Sequence, residues 1–140
     1  MITSTSAIVL SKIRYKDNDI IVKLFTKEYG AISFIVKGGK NSKKNKIKYV
    51  YFQELTILEI QFNYNLKRDL QYIKDIEIKH NYTSSHTDLV KVSVIMFLSE
   101  VLSNVITHQK RDIQLYNYIE ESLIWYDINK SNTYFHMIFL

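Results

Sequence analysis

The sequence predicts an α+β protein: a small five-stranded β-barrel over residues 1–80, followed by the start of an all-helical domain over residues 81–140. Three observations carry that expectation. Apolar residues recur with strand periodicity in five runs before residue 80 and with helical periodicity after it. The charge balance changes at the same place, with 15 Lys+Arg against 8 Asp+Glu in residues 1–80 and 4 against 6 in residues 81–140. Finally, the five runs are short and β-rich, and closing them into a barrel removes edges that they would otherwise expose.

The elements follow in order. Ser6–Tyr15 alternates Ala7, Val9, Ser11 and Ile13 against Ile8, Leu10, Lys12 and Arg14. Asp19–Thr26 ("DIIVKLFT") is apolar on both faces, as a central or strongly curved strand would be. "KEYG" then leads into "AISFIVK", with Ile32, Phe34 and Val36 on one face. That pair reads as a hairpin in which Gly30 supplies a positive φ. Phe52–Phe62 is the fourth predicted strand. Asp69–Lys79 is the fifth, alternating Leu70, Tyr72, Ile76 and Ile78 against Gln71, Asp75, Glu77 and Lys79. All five are expected to run antiparallel.

Beyond residue 80, "TSSHTDLVKVSVIMFLSEVLSNVI" opens with Ser/Thr capping candidates and Asp88 in the first turn. Val90, Val94, Phe97, Leu98, Val101, Leu102 and Val105 keep helical spacing, while Leu89, Val92 and Met96 add a second apolar face. A helix apolar on most sides predicts a buried spine. Asp112–Asp127 reads as a second helix with Ile113, Tyr116, Ile119, Leu123 and Tyr126 inward. "NTYFHMIFL" begins a third, and the sequence stops on Phe139 and Leu140. So short a helix is marginal alone, so the expectation is a truncated helical domain belonging to a longer protein.

Composition narrows the function classes. An apolar fraction of 46% supports a packed core. The absence of cysteine removes disulfides, thiolate metal sites and cysteine nucleophiles, and fits a reducing cytoplasm. The N-terminus has no signal-peptide pattern, and no run of about 18 uncharged apolar residues predicts a membrane span. The four histidines are far apart, and neither a P-loop nor a GxSxG motif is present. Asp17 and Asp19 lie close together, as a metal-dependent nuclease would want, but a loop such as "KDND" is more often just a turn, and no third carboxylate stands at a recognisable spacing.

The main functional signal is Val36–Lys48, "VKGGKNSKKNKIK", with six lysines in thirteen residues and no acid. Lysine outnumbers arginine 16 to 3 throughout, so scattered lysines are background and this cluster is the signal. Its bland reading is a solvated connection. The sharper one is a positive finger for phosphates, in which Gly38 and Gly39 let the backbone approach a ligand and binding is blind to sequence. Tyr49 and Tyr51 border the loop and are candidate base-stacking residues, with core filling as the plain alternative. Phe34 is expected in the core.

The stretch "TSAIVLSKIRYKDNDIIVKLFTKEYGAISFIVKGGK" closely resembles the N-terminus of the bacterial RecO family of recombination mediators. "FQELTILEIQF", "RDLQYIKDIEI", "HTDLVKVSVIMFLSEVL" and "YFHMIFL" resemble that family's later segments in the same order. The resemblance implies an N-terminal OB-fold barrel and a helical domain. It also implies activity without catalysis: binding of single- and double-stranded DNA, strand annealing, contact with the C-terminal tail of single-stranded-DNA-binding protein, and cooperation with RecR in loading RecA. A cytoplasmic, nucleoid-associated location follows. Many members carry a cysteine zinc site farther along; this chain has no cysteine, and no metal or cofactor is expected.

The resemblance supplies no contact residues one by one, so the candidate DNA-binding set rests on charge and position. Lys37, Lys40, Lys43, Lys44, Lys46 and Lys48 are expected on phosphates. Lys12, Arg14, Lys67 and Arg68 form a second rank, and Tyr49 and Tyr51 are the stackers. The rival readings are a protein-interaction module without DNA binding, a metal-dependent nuclease using Asp17 and Asp19, and an RNA-binding barrel.

Overall fold

The structure, a computed structural model, describes residues 2–16, 19–37, 49–107 and 110–128. Five strands, β1 (Ile2–Tyr15), β2 (Asp19–Thr26), β3 (Gly30–Val36), β4 (Ile57–Asn63) and β5 (Leu70–His80), close into a barrel in the order β1-β2-β3-β5-β4. Two helices follow, α1 (Leu89–Val105) and α2 (Ile113–Ile128). This is the OB-fold barrel with trailing helices that the sequence predicts. The predicted third helix lies outside the described residues.

β1 begins earlier than predicted because its first half pairs with β4, from Ile2 opposite Asn63 to Ile8 opposite Ile57. Its pairing with β2 runs on to Tyr15, with a register shift between Val9 and Ser11. A bulge of this kind bends a strand and lets it serve two neighbours. Ala7 and Val9 point into the barrel with Val22, Leu24, Phe34 and Phe62. Ile8 and Leu10 point the other way and are buried beneath the helices with Phe25, Leu98, Leu102, Tyr116 and Leu123. Both faces of β1 are therefore core, which explains why its apolar residues do not alternate with polar ones.

Four expectations are corrected. The fourth strand starts at Ile57, not Phe52, because Tyr49–Phe52 forms a 3₁₀ turn and Leu55 takes a left-handed φ of 57° before the strand begins. The closing pair β3–β5 is parallel rather than antiparallel. In β5, Gln71 and Ile73 face the interior and Tyr72 faces out. Phe62 opposes Ile73 while Gln61 opposes Asp75, so Lys74 is the extra residue and the side-chain parity reverses there. In α1 the buried face is Lys91, Ile95, Leu98, Ser99 and Leu102, while Val90, Phe97 and Val105 are exposed. A helix apolar all round does not reveal by periodicity which stripe meets its neighbour.

Gly30 takes φ +74° at the β2–β3 turn, as the hairpin requires. Asp88 is itself the N-cap of α1, accepting from the backbone N–H of Val90 and Lys91. The barrel and helices are joined by a buried carboxylate. Asp127, near the end of α2, accepts from the backbone N–H groups of Thr83, Ser84 and Ser85 at 2.9–3.0 Å. Nε2 of His80 lies 3.1 Å away. Burial alone would raise this carboxyl's pKa, but the three N–H donors and His80 outweigh it and hold the group well below the usual carboxylate range. Buried Lys91 donates to the carbonyls of Tyr126 and Asp127 at 2.9 and 3.2 Å.

Candidate nucleic-acid interface

The pairing registers bring residues from four strands into one row on the outside of the barrel. Ile13 opposes Ile21, Ile21 opposes Ile35, and Ile35 opposes Tyr72. Opposed residues on neighbouring strands project from the same face. Ile35 in the middle is buried, while Ile13 is 61% and Tyr72 43% exposed at the two ends. β3 ends at Val36 beside this row, so Lys37, the first lysine of the basic stretch, leaves the barrel there.

Tyr72 gathers two of the predicted cations. Nζ of Lys37 lies 5.5 Å and Cζ of Arg68 5.4 Å from its ring centroid. Each such contact is worth roughly 0.5–1 kcal/mol at an exposed site. Lys37 comes from the end of β3 and Arg68 from the β4–β5 connection, so only the parallel β3–β5 pairing makes them neighbours. Lys67, exposed beside Arg68, has its N–H on Oδ1 of Asn65 at 3.0 Å. The connection is shaped from below by Gln71, which is fully buried. Its Nε2 donates to the carbonyls of Asn65 and Arg68, and its Oε1 accepts from the Asn65 N–H. A strand residue thus fixes the backbone that presents Lys67 and Arg68.

Lys12 and Arg14 occupy a different setting. They line an open cleft of about 480 Å³ between β1 and α1, with Leu10, Ile13, Met96 and Ser99. Ser99 Oγ donates to the Leu10 carbonyl at 2.6 Å and ties α1 to the strand at the base of this cleft. Glu54 and Glu100 line the same cleft, so the local formal charge is balanced. At the β1–β2 turn, Nζ of Lys16 lies 5.4 Å from the ring of Tyr15.

Of the predicted contact residues, the structure brings Lys37 and Arg68 together and places Lys67 beside them; Lys12 and Arg14 form a second group. Tyr51 is half-buried and packs against the barrel interior. Phe34 is in the barrel core, as expected. Lys40, Lys43, Lys44, Lys46 and Lys48, the Tyr49 side chain and Asp17 lie outside the described residues. Among the described residues, no group of three or more His, Asp or Glu side chains is placed to hold a metal ion. No helix among them is long and apolar enough to cross a membrane. Sequence reasoning grouped Tyr72 with Leu70, Ile76 and Ile78; the break at Lys74 that turns Tyr72 outward is set by pairing with β4 and has no local signal.

The barrel closure and the strand order define an OB-fold protein, with Lys37 and Arg68 set around an exposed aromatic on its rim. Comparison with known proteins then narrows this. Residues 1–82 match the family described as "Recombination protein O N terminal". The chain is 36% identical over 140 residues to DNA repair protein RecO of Christiangramia forsetii, covering 100% of this chain and 59% of that protein. It is 36% identical over 136 residues to the protein of that name from Flavobacterium psychrophilum, covering 97% and 57%. With the one from Phocaeicola vulgatus it shares 33% over 141 residues, covering 100% and 58%. The chain belongs to the RecO family, and it spans somewhat under three-fifths of the length of these relatives.

Proposed function

We propose that the chain is the DNA-binding part of a recombination mediator. It binds single- and double-stranded DNA without catalysis, through backbone phosphates and without reading sequence. Lysines neutralise the phosphate charge of two complementary strands, which lets them approach and anneal. In the whole protein this activity serves recombinational repair in the cytoplasm, at the nucleoid, with RecR and the C-terminal tail of single-stranded-DNA-binding protein as partners in loading RecA. The relatives' name, DNA repair protein, supports the process. The observation that carries the binding reading is the meeting of Lys37 and Arg68 over Tyr72, at the point where the six-lysine stretch leaves the barrel.

The test is fluorescence anisotropy of a labelled single-stranded oligonucleotide over a salt series. Wild type is compared with a variant carrying alanine in place of Lys40, Lys43, Lys44 and Lys46, and with Lys37→Ala/Arg68→Ala. Each lost phosphate contact on a single strand should flatten the log–log salt slope by roughly 0.7. Weaker binding with shallower slopes in both variants supports the reading. Wild-type affinity and slope in both would place the DNA face elsewhere. A folded wild type that does not bind the single strand would favour a partner-docking role instead.

A further inference from the structure

We infer that Tyr72 is a stacking station for an unpaired base and makes this face distinguish single strands from duplex. The inference rests on the DNA-binding reading and adds to it a base contact that phosphate neutralisation alone does not supply. The ring is held by its surroundings. It is outward-facing on a barrel strand, opposes buried Ile35, and follows buried Gln71, whose three hydrogen bonds fix the adjoining connection. It nonetheless keeps 43% of its surface exposed. An aromatic ring on a rigid strand at the rim of a basic surface is the element that sequence-tolerant single-strand binders use, because every base offers a π face.

The two cations on the ring complete the station. Lys37 and Arg68 reach Tyr72 from different elements, each within 5.5 Å of the centroid. Their long side chains turn to the phosphates on either side of an arriving nucleotide and make charge-assisted hydrogen bonds there. That movement uncovers a ring face for the base between those phosphates. A duplex offers the same phosphates, but its bases are stacked and paired, so it gains only the charge contacts. Tyr72 therefore contributes to single-strand affinity alone.

The experiment measures anisotropy of the full chain with three ligands of equal length: a single-stranded oligonucleotide, an abasic deoxyribose-phosphate strand, and a duplex. Tyr72→Ala should weaken binding to the base-containing strand about tenfold, with an unchanged salt slope. It should change binding to the abasic strand and the duplex by less than about twofold, and Tyr72→Phe should retain wild-type behaviour. A Tyr72→Trp variant in a Trp125→Phe background, which leaves position 72 as the sole indole, adds a direct readout, with its emission quenched by the base-containing strand and not by the abasic one. Equal losses on all three ligands would overturn the inference, since the ring would then only position Lys37 and Arg68. So would wild-type binding by Tyr72→Ala, or indole emission in Tyr72→Trp that the base-containing strand leaves unquenched. Failure of the underlying reading has a different signature: wild type would bind none of the three, or Lys37→Ala/Arg68→Ala would leave all three affinities unchanged.

Discussion

Gln71 donates a hydrogen bond from Nε2 to the carbonyl of Arg68 at 3.0 Å. The same amide also holds Asn65 through its carbonyl and N–H. A buried strand residue thus sets the path of an exposed basic turn. Gln71→Leu fills the same space and removes the partner of the Asn65 N–H and the Arg68 carbonyl, while the Asn65 carbonyl keeps the Arg68 N–H at 3.1 Å; the cost is about 1–3 kcal/mol. Urea unfolding should report that loss. Trypsin supplies a local readout, because the turn carries Lys67 and Arg68. Cleavage there should accelerate in Gln71→Leu more than at any site in β1 or β2, and uniform acceleration would mean that Gln71 acts only on global stability.

Asp127 predicts an acid limb in the stability of the barrel–helix junction. Its folded pKa is depressed, because the N–H groups of Thr83, Ser84 and Ser85 and the His80 side chain stabilise the carboxylate. Such a group contributes its full stabilisation above the unfolded pKa of about 3.9, and the contribution is lost as pH falls through and below that value. Wild type should lose stability steeply between about pH 5 and pH 2. Asp127→Asn should be less stable at pH 7, by about 2–4 kcal/mol, and its stability should fall less over the acid range. Parallel curves for the two proteins would show that other carboxylates set the acid limb.

Most of the fold was legible in the sequence because β2, β3 and the hairpin between them obey local rules. Strand-like runs, a short connection and Gly30 are all short-range signals, and the residues match. The errors fall where long-range pairing decides. Lys74 reverses the parity of β5 only because Phe62 and Gln61 on β4 oppose residues on either side of it. Tyr49–Phe52 looks β-rich, yet Phe52 is a barrel plug in a 3₁₀ turn. The candidate site was partly legible for the same reason. Charge density marks Lys37, but its neighbourhood with Arg68 exists only once β3 pairs in parallel with β5, more than thirty residues away in sequence.

Gly30 is constrained twice. It sits at φ +74°, and a Cβ there would lie 2.5 Å from both the N and the O of Lys110, on the segment leading into α2. Backbone atoms cannot yield as a flexible side-chain end would. Gly30→Ala should therefore cost more than the roughly 1–3 kcal/mol of a strained φ alone, and should loosen the contact between the hairpin and the α1–α2 connection. Thermal unfolding gives the first quantity. Amide hydrogen exchange gives the second, as faster exchange in the first turn of α2 with β4 unaffected. A mild effect confined to the hairpin would mean that the connection simply moves aside.

The two cation pairs should not contribute equally to DNA binding. Lys37 and Arg68 meet over an exposed ring, whereas Lys12 and Arg14 line a cleft shared with Glu54 and Glu100. A phosphate entering that cleft meets two carboxylates as well as two cations, and within a Debye length of about 8–10 Å the repulsion is not screened away. Lys37→Ala/Arg68→Ala should flatten the single-strand salt slope by about 1.4, two contacts' worth. Lys12→Ala/Arg14→Ala should flatten it by less than about half of that. The converse variant, Glu54→Gln/Glu100→Gln, should raise affinity at low salt, because it unmasks Lys12 and Arg14. If the cleft pair instead flattens the slope as much as the pair over Tyr72, and the glutamine variant changes nothing, the carboxylates are turned away from the path of the nucleic acid. The DNA track would then run across β1 as well as along β3 and β5.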